Sequence, residues 1–167
     1  MKNSIITASI LATGLAFSGA ANALTAGGTL NVSANVIAAC TVTTTAVNFS
    51  NLVTNVTVRA DGDVSVNCSN GIPYHIALDA GLNPAIGVRR MTEVAGTGVA
   101  GYQLWLNNES NPQWGDSDYA NTYQWGVSVV DTGSGSIQTH IVHGAAAANT
   151  FSPSGAYSDS VNVTVFY

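Results

Sequence analysis

The sequence predicts an all-β protein, an antiparallel β-sandwich. Three observations carry that reading. Almost every apolar segment alternates with period two, so one face of each segment is apolar and the other polar. The segments are separated by clusters of Gly, Asn, Asp, Ser and Thr, the residues that make turns. Helical periodicity is nearly absent. The one helix candidate, alanine-rich 144–149, is short and reads better as a loop. Many short strands joined by glycine-rich turns are the pattern of a sandwich.

The elements follow in chain order. Lys2, the apolar run Ile5 to Phe17 and the small-x-small triplet Ala21-Asn22-Ala23 form a secretion signal, with cleavage expected after Ala23. The apolar run is too short and interrupted to span a membrane, and no second one follows, so membrane insertion is not expected. Residues 24–167 fit one domain of ordinary size. Residues 24–38 form an N-terminal arm preceding a domain at 39–167. Within the arm, Leu30, Val32, Ala34 and Val36 fall on one face of an extended strand, and Asn31, Ser33 and Asn35 on the other. Such a segment can be the first strand of its own sheet, or it can complete the sheet of a neighbour.

Asp63 to Cys68 alternates cleanly. Asn70-Gly71 is a turn signal before Pro73 to Asp79, whose inner face is Tyr74, Ile76 and Leu78. Gly101 to Leu106 places Tyr102, Leu104 and Leu106 on one side and Trp105 on the other. Trp125 to Val130 and Ser136 to Val142 flank the turn-rich loop 131–135. Two long connections, 81–98 and 107–122, are polar and read as irregular. A last strand spans 157–167, with Val161, Val163, Val165 and Tyr167 on one face. A terminal strand this apolar must be paired on both sides or present an aggregation-prone edge.

Charge is scarce. Without Lys2, three arginines (Arg59, Arg89, Arg90) stand against nine acids. Nucleic acid and anionic lipid both need Lys/Arg patches, so neither is an expected partner. Cys40 and Cys68 are the two cysteines, and in an exported chain they predict one disulfide.

No constellation calls for catalysis, and no cofactor is expected. Gly115-Asp116-Ser117 matches a tripeptide of one hydrolase class, but it lies in a polar loop after Trp114, with no Gly-x-Ser-x-Gly elbow in the chain. His140 and His143 are three apart on a strand and point to opposite faces, which does not suit one metal ion. His75 alternates with Tyr74 and Ile76 and faces the polar side. Asp61-Gly62-Asp63 and Asp116-Ser117-Asp118 lack a complete calcium-loop pattern and read as surface turns. Arg89 or Arg90 can pin the first long connection through Asp79 or Glu93. Asn-x-Ser/Thr triplets such as those at Asn31, Asn55, Asn108 and Asn162 are expected by chance in a Thr-rich chain. Trp105, Trp114 and Trp125 suit a sandwich core better than a sugar-binding surface.

The order of these pieces carries a resemblance. An alternating strand ends at Cys40 and Val66-Asn67-Cys68 follows. Then come Tyr74 to Gly81, Arg89-Arg90-Met91, Tyr102-Gln103-Leu104-Trp105, Trp114-Gly115-Asp116 and Gly155 to Val161, before an alternating final strand. This resembles the spore coat U domain family, which includes the pilins of archaic (Csu-type) chaperone–usher pili. The resemblance implies an incomplete immunoglobulin-like antiparallel β-sandwich, completed by donor-strand exchange. It implies a non-enzymatic subunit of a surface pilus supporting adhesion and biofilm formation. Its partners would be a periplasmic chaperone, an outer-membrane usher and other pilin subunits, and it would pass through the periplasm to the cell surface. Carried onto this chain, Leu30, Val32, Ala34 and Val36 are the donor residues, and Ala34 is smaller than a donor position usually holds. Val161, Val163, Val165 and Tyr167 form a wall of the acceptor groove, and Cys40–Cys68 is the disulfide. The alternatives are a carbohydrate-binding adhesin and a secreted coat protein that completes its own sheet.

Overall fold

The computed structural model describes residues 24–108, 110–117, 126–149 and 152–167. The predicted leader, Asp118 and Trp125 lie outside them. The chain divides into two units, Met1–Asn35 and Val36–Tyr167. In the first, residues 24–35 carry no strand, and Leu30 and Val32 are 86% and 85% exposed.

The second unit is all-β, with no helix among the described residues. Its strands are β1 (Cys40–Thr45), β2 (Val58–Cys68), β3 (Pro73–Leu78), β4 (Arg89–Glu93), β5 (Val99–Asn107), β6 (Ser110–Gln113), β7 (Val129–Thr132), β8 (Gln138–Ala147), β9 (Tyr157–Ser158) and β10 (Val163–Phe166). They form two sheets whose strand pairs are antiparallel. The larger has the order β1-β2-β8-β5-β4-β9, with β6 added beside β5; the smaller is β10-β3-β7.

Alternation builds the core. Val64, Val66 and Cys68 of β2, Tyr74, Ile76 and Leu78 of β3, Tyr102 and Leu104 of β5 and Val142 of β8 are buried together. Each such side chain contributes about 1.5–3 kcal/mol of apolar burial. Trp114 is fully buried among them and donates its indole N–H to the Ile76 carbonyl at 2.9 Å.

Several expectations are corrected. The Asp61-Gly62-Asp63 segment is not a turn but the middle of β2. Its glycine serves a close approach: a Cβ at Gly62 would lie 2.8 Å from the Thr45 carbonyl and 2.9 Å from Val47. Gly144 is equivalent on β8, where a Cβ would lie 2.6 Å from Val47 and 2.9 Å from Phe49. The chain after β1 therefore lies across these two bare positions, and the alanine-rich 144–147 is strand rather than loop. The supposedly irregular connections contain β4 and β6, whose polar residues pair at the sheet. The strand expected from Trp125 begins instead at Val129. The single C-terminal strand is two. Tyr157–Ser158 pairs with β4 of the larger sheet and Val163–Phe166 with β3 of the smaller, so the chain changes sheets between them. No strand is assigned in 24–39, and the first ladder starts at Cys40.

Cys40 and Cys68 form the expected disulfide, facing each other in the β1–β2 register, 28 residues apart. Ser69 reinforces this end, its N–H donating to the Ala39 carbonyl at 2.9 Å. Replacing both cysteines by alanine is expected to cost about 3–4 kcal/mol, from the entropy of a loop of this length. Denaturant unfolding of the variant beside the oxidised parent measures it.

A polar bridge joins the sheets at the β7 side. The Tyr74 hydroxyl lies 3.0 Å from His140 Nε2 and 3.4 Å from Asp131 Oδ2, and Gln138 Nε2 donates to the same carboxylate oxygen at 3.2 Å. Burial lowers the His140 pKa below its ordinary 6.5, and Asp131, 3.8 Å away, opposes this only in part. The unfolded chain therefore takes up this proton first as pH falls. Stability is expected to drop as pH is lowered from 6.5 toward the depressed folded value. His140→Gln should flatten that part of the profile, read as unfolding midpoint against pH.

Candidate functional site

The sheets are unequal, and the smaller one leaves part of the larger one's inner face uncovered. A cleft of about 1040 Å³ occupies that strip. Its floor is apolar: Val64, Met91, Ala100, Tyr102, Leu104 and Val142. One side is the end of β1 with Val47 and Phe49; the other is Leu78 with Val161 and Val163. In the sheet order β1 pairs only with β2 and β10 only with β3, so each is an edge strand. An edge strand carries unpaired backbone N–H and C=O groups. The site thus combines a trough of apolar floor and mixed walls with two strand edges, the requirements for accepting an extended segment.

A polar network closes one end. The Asp159 carboxylate accepts from the Tyr102 hydroxyl at 2.6 Å, from Leu82 N–H at 2.9 Å and from Ser160 N–H at 2.8 Å. The Asp79 carboxylate accepts from Asn162 N–H at 2.9 Å, Asn162 Nδ2 at 2.6 Å and Gly81 N–H at 2.9 Å. Burial first, then the Asp159 hydrogen bond, push the Tyr102 phenol far above its ordinary 10, so it stays a donor at any physiological pH. Arg89 is fully buried and donates to the carbonyls of Asp79 at 2.8 Å, Leu78 at 3.2 Å and Trp114 at 2.9 Å.

The predicted wall residues divide. Val161 and Val163 line the cleft, Val165 packs against the core, and Tyr167 lies beyond β10, 60% exposed. Val36 is 89% exposed, and Ala34 is exposed like its arm neighbours. Ser117 donates to the Gly126 carbonyl. His75 meets Ser128 at 3.1 Å, and His143 Nδ1 lies 2.9 Å from Asp61. Asp63 accepts from the Thr45 hydroxyl at 2.6 Å. Arg90 donates to the carbonyls of Asn83 and Pro84 within the 81–98 connection, and Arg89 ties that connection to Asp79 through the backbone carbonyl. Among the described residues no group of three or more His, Cys, Asp or Glu is placed to hold a metal.

Sequence reading missed Val47, Phe49, Asp159 and the Asp79–Asn162 pair. Val47 and Phe49 alternate in a segment that belongs to no strand, and the two aspartates meet their partners only across long sequence distances.

A family model described as Spore Coat Protein U domain matches residues 26–164. No curated protein matches the chain. Among solved structures, it is similar to a chain in the chaperone–tip adhesion subunit pre-assembly complex from archaic chaperone–usher Csu pili of Acinetobacter baumannii. The TM-score is 0.59 at 23% identity, over 79% of this chain and 40% of that one. The likeness is one of fold, immunoglobulin-like, and this chain spans 40% of that neighbour's length.

Proposed function

The chain belongs to the spore coat protein U domain family, and from that premise we propose that it is a non-enzymatic structural subunit of an archaic chaperone–usher pilus. In this reading the arm at 24–38 of one copy enters the cleft of the next. Leu30, Val32, Ala34 and Val36 point to the apolar floor, and the arm's backbone bonds to the edges of β1 and β10. A periplasmic chaperone holds the cleft before assembly at an outer-membrane usher, and the fibre serves adhesion and biofilm formation on the cell surface.

One observation carries the reading: a cleft with an apolar floor, flanked by two edge strands, in a chain whose own arm displays alternating apolar side chains to solvent. The larger side chains contribute about 1–3 kcal/mol each on burial, and the ladder adds its hydrogen bonds. Such a contact is head-to-tail and does not close on itself, so it propagates as a filament.

Size exclusion of the secreted chain, with and without residues 24–38, tests it. Laddered polymers that vanish on deletion are expected. An isolated monomer that unfolds when the arm is removed would instead mean a self-completed coat protein.

A further inference from the structure

Most of the cleft's floor is buried; its partly exposed apolar residues include Val47, Met91, Val161 and Val163, and closing the cleft would remove these from water. The segment that would swing inward is 159–162, where the chain crosses from β9 in the larger sheet to β10 in the smaller. Val161, a wall residue, lies inside that crossing. The crossing contains no strand; Val161 packs against the core, and polar bonds fix the ends on either side of it. Asp159 ties it to Tyr102 on the cleft floor and to the backbone of Leu82. Asn162 ties it to Asp79, whose backbone N–H in turn donates to the Asn162 carbonyl at 3.1 Å. Arg89, rooted in β4 of the larger sheet, grips the last carbonyls of β3 in the smaller one and fixes where Asp79 stands.

We propose that Asp79 and Asp159, supported by Arg89 and Tyr102, form a polar strut that holds the cleft open while it is empty. They are positioning residues for strand entry, and the proposal rests on the fibre reading above. The bonds have the strength and place for this. Those to the Asp79 and Asp159 carboxylates and those from Arg89 are charge-assisted, a class that contributes more than neutral hydrogen bonds. They join both sheets to the crossing at the cleft wall. Once a strand lies in the cleft, its side chains keep the walls apart and the strut becomes redundant. The strut therefore acts on the rate of entry and little on the rate of exit.

The test uses the full secreted chain, kept dilute, with a labelled synthetic peptide of residues 24–38 and, separately, an anilinonaphthalene dye that fluoresces in apolar clefts. The variants are Tyr102→Phe, which removes the donor to Asp159 and leaves the ring, and Asp79→Asn, which keeps size and loses charge. The association rate of the peptide is expected to fall about tenfold in each, with dissociation changed less than twofold, since losing a charge-assisted bond of this class weighs about that much. Dye emission from the empty chain should fall in parallel. Association rates and dye emission equal to the parent, in variants that stay folded, would overturn the strut. So would equal losses in association and persistence of the complex, which a general weakening of the fold produces. If the parent itself takes up no peptide, the fibre reading fails. The dye result then decides separately whether these residues hold the cleft open.

Discussion

A chain carrying Val32→Asp and Val36→Asp is expected to fold with unchanged stability and to form no polymer. Both side chains are solvent-exposed in the isolated chain, at 85% and 89%, so the substitutions meet water there. Surface changes of this kind shift stability by about 0.5 kcal/mol or less. In the proposed joint the same positions face an apolar floor, where an unpaired carboxylate loses its hydration with nothing to replace it. That penalty is several kcal/mol per charge, enough to weaken a joint by a factor of 10³ or more. Asn31→Asp with Ser33→Asp places the same charges on the opposite face of the arm and should leave polymers largely intact. Size exclusion and native gels of the two double variants read the contrast. Equal polymerisation of both, or equal loss, would show that the alternating face does not govern assembly.

Trp114→Ala is expected to destabilise the fold by about 3–5 kcal/mol, the range for removing a large aromatic from a core. That is a large share of the roughly 5–15 kcal/mol available to a domain. Trp114 is fully buried, and its indole satisfies the Ile76 carbonyl. Its own carbonyl accepts from Arg89 and its N–H donates to the Leu104 carbonyl at 2.9 Å. These backbone bonds survive in the alanine variant, so the loss combines a cavity with the hydrogen bond to the Ile76 carbonyl in β3. Trp114→Phe should cost less, since it keeps most of the volume and forfeits the hydrogen bond. Denaturant unfolding of the oxidised proteins separates the two; an alanine variant within 1 kcal/mol of the parent would contradict the role assigned to this side chain.

Alternation and turn chemistry were legible wherever a segment had one buried face. The inner positions of β2, β3 and β5 were readable in advance because a period of two has only two faces to choose from. The disulfide followed from there being two cysteines in an exported chain. The arm was legible for the same reason as the strands: Leu30, Val32, Ala34 and Val36 share a face whatever they pair with.

Other features depend on pairings that no local pattern records. Gly62 looks like a turn residue in sequence because the chain that lies over it, at Val47, is fifteen positions away in sequence and close only in the fold. The division of 157–167 between two sheets is marked in sequence only by the polar run Ser158-Asp159-Ser160, and the sheet that each half joins is set by long-range pairing. Asp79 reads in sequence as a strand end that can meet Arg89 or Arg90, and Asp159 as part of the last strand; their bonds to Asn162 and Tyr102 exist only in the fold. Sequence alone determined which side chains face inward, because that follows from the geometry of an extended backbone. The tertiary structure decided which strands stand at an edge and where the sandwich stays open, because hydrogen-bond partners between strands are set by long-range packing and not by neighbours in the chain.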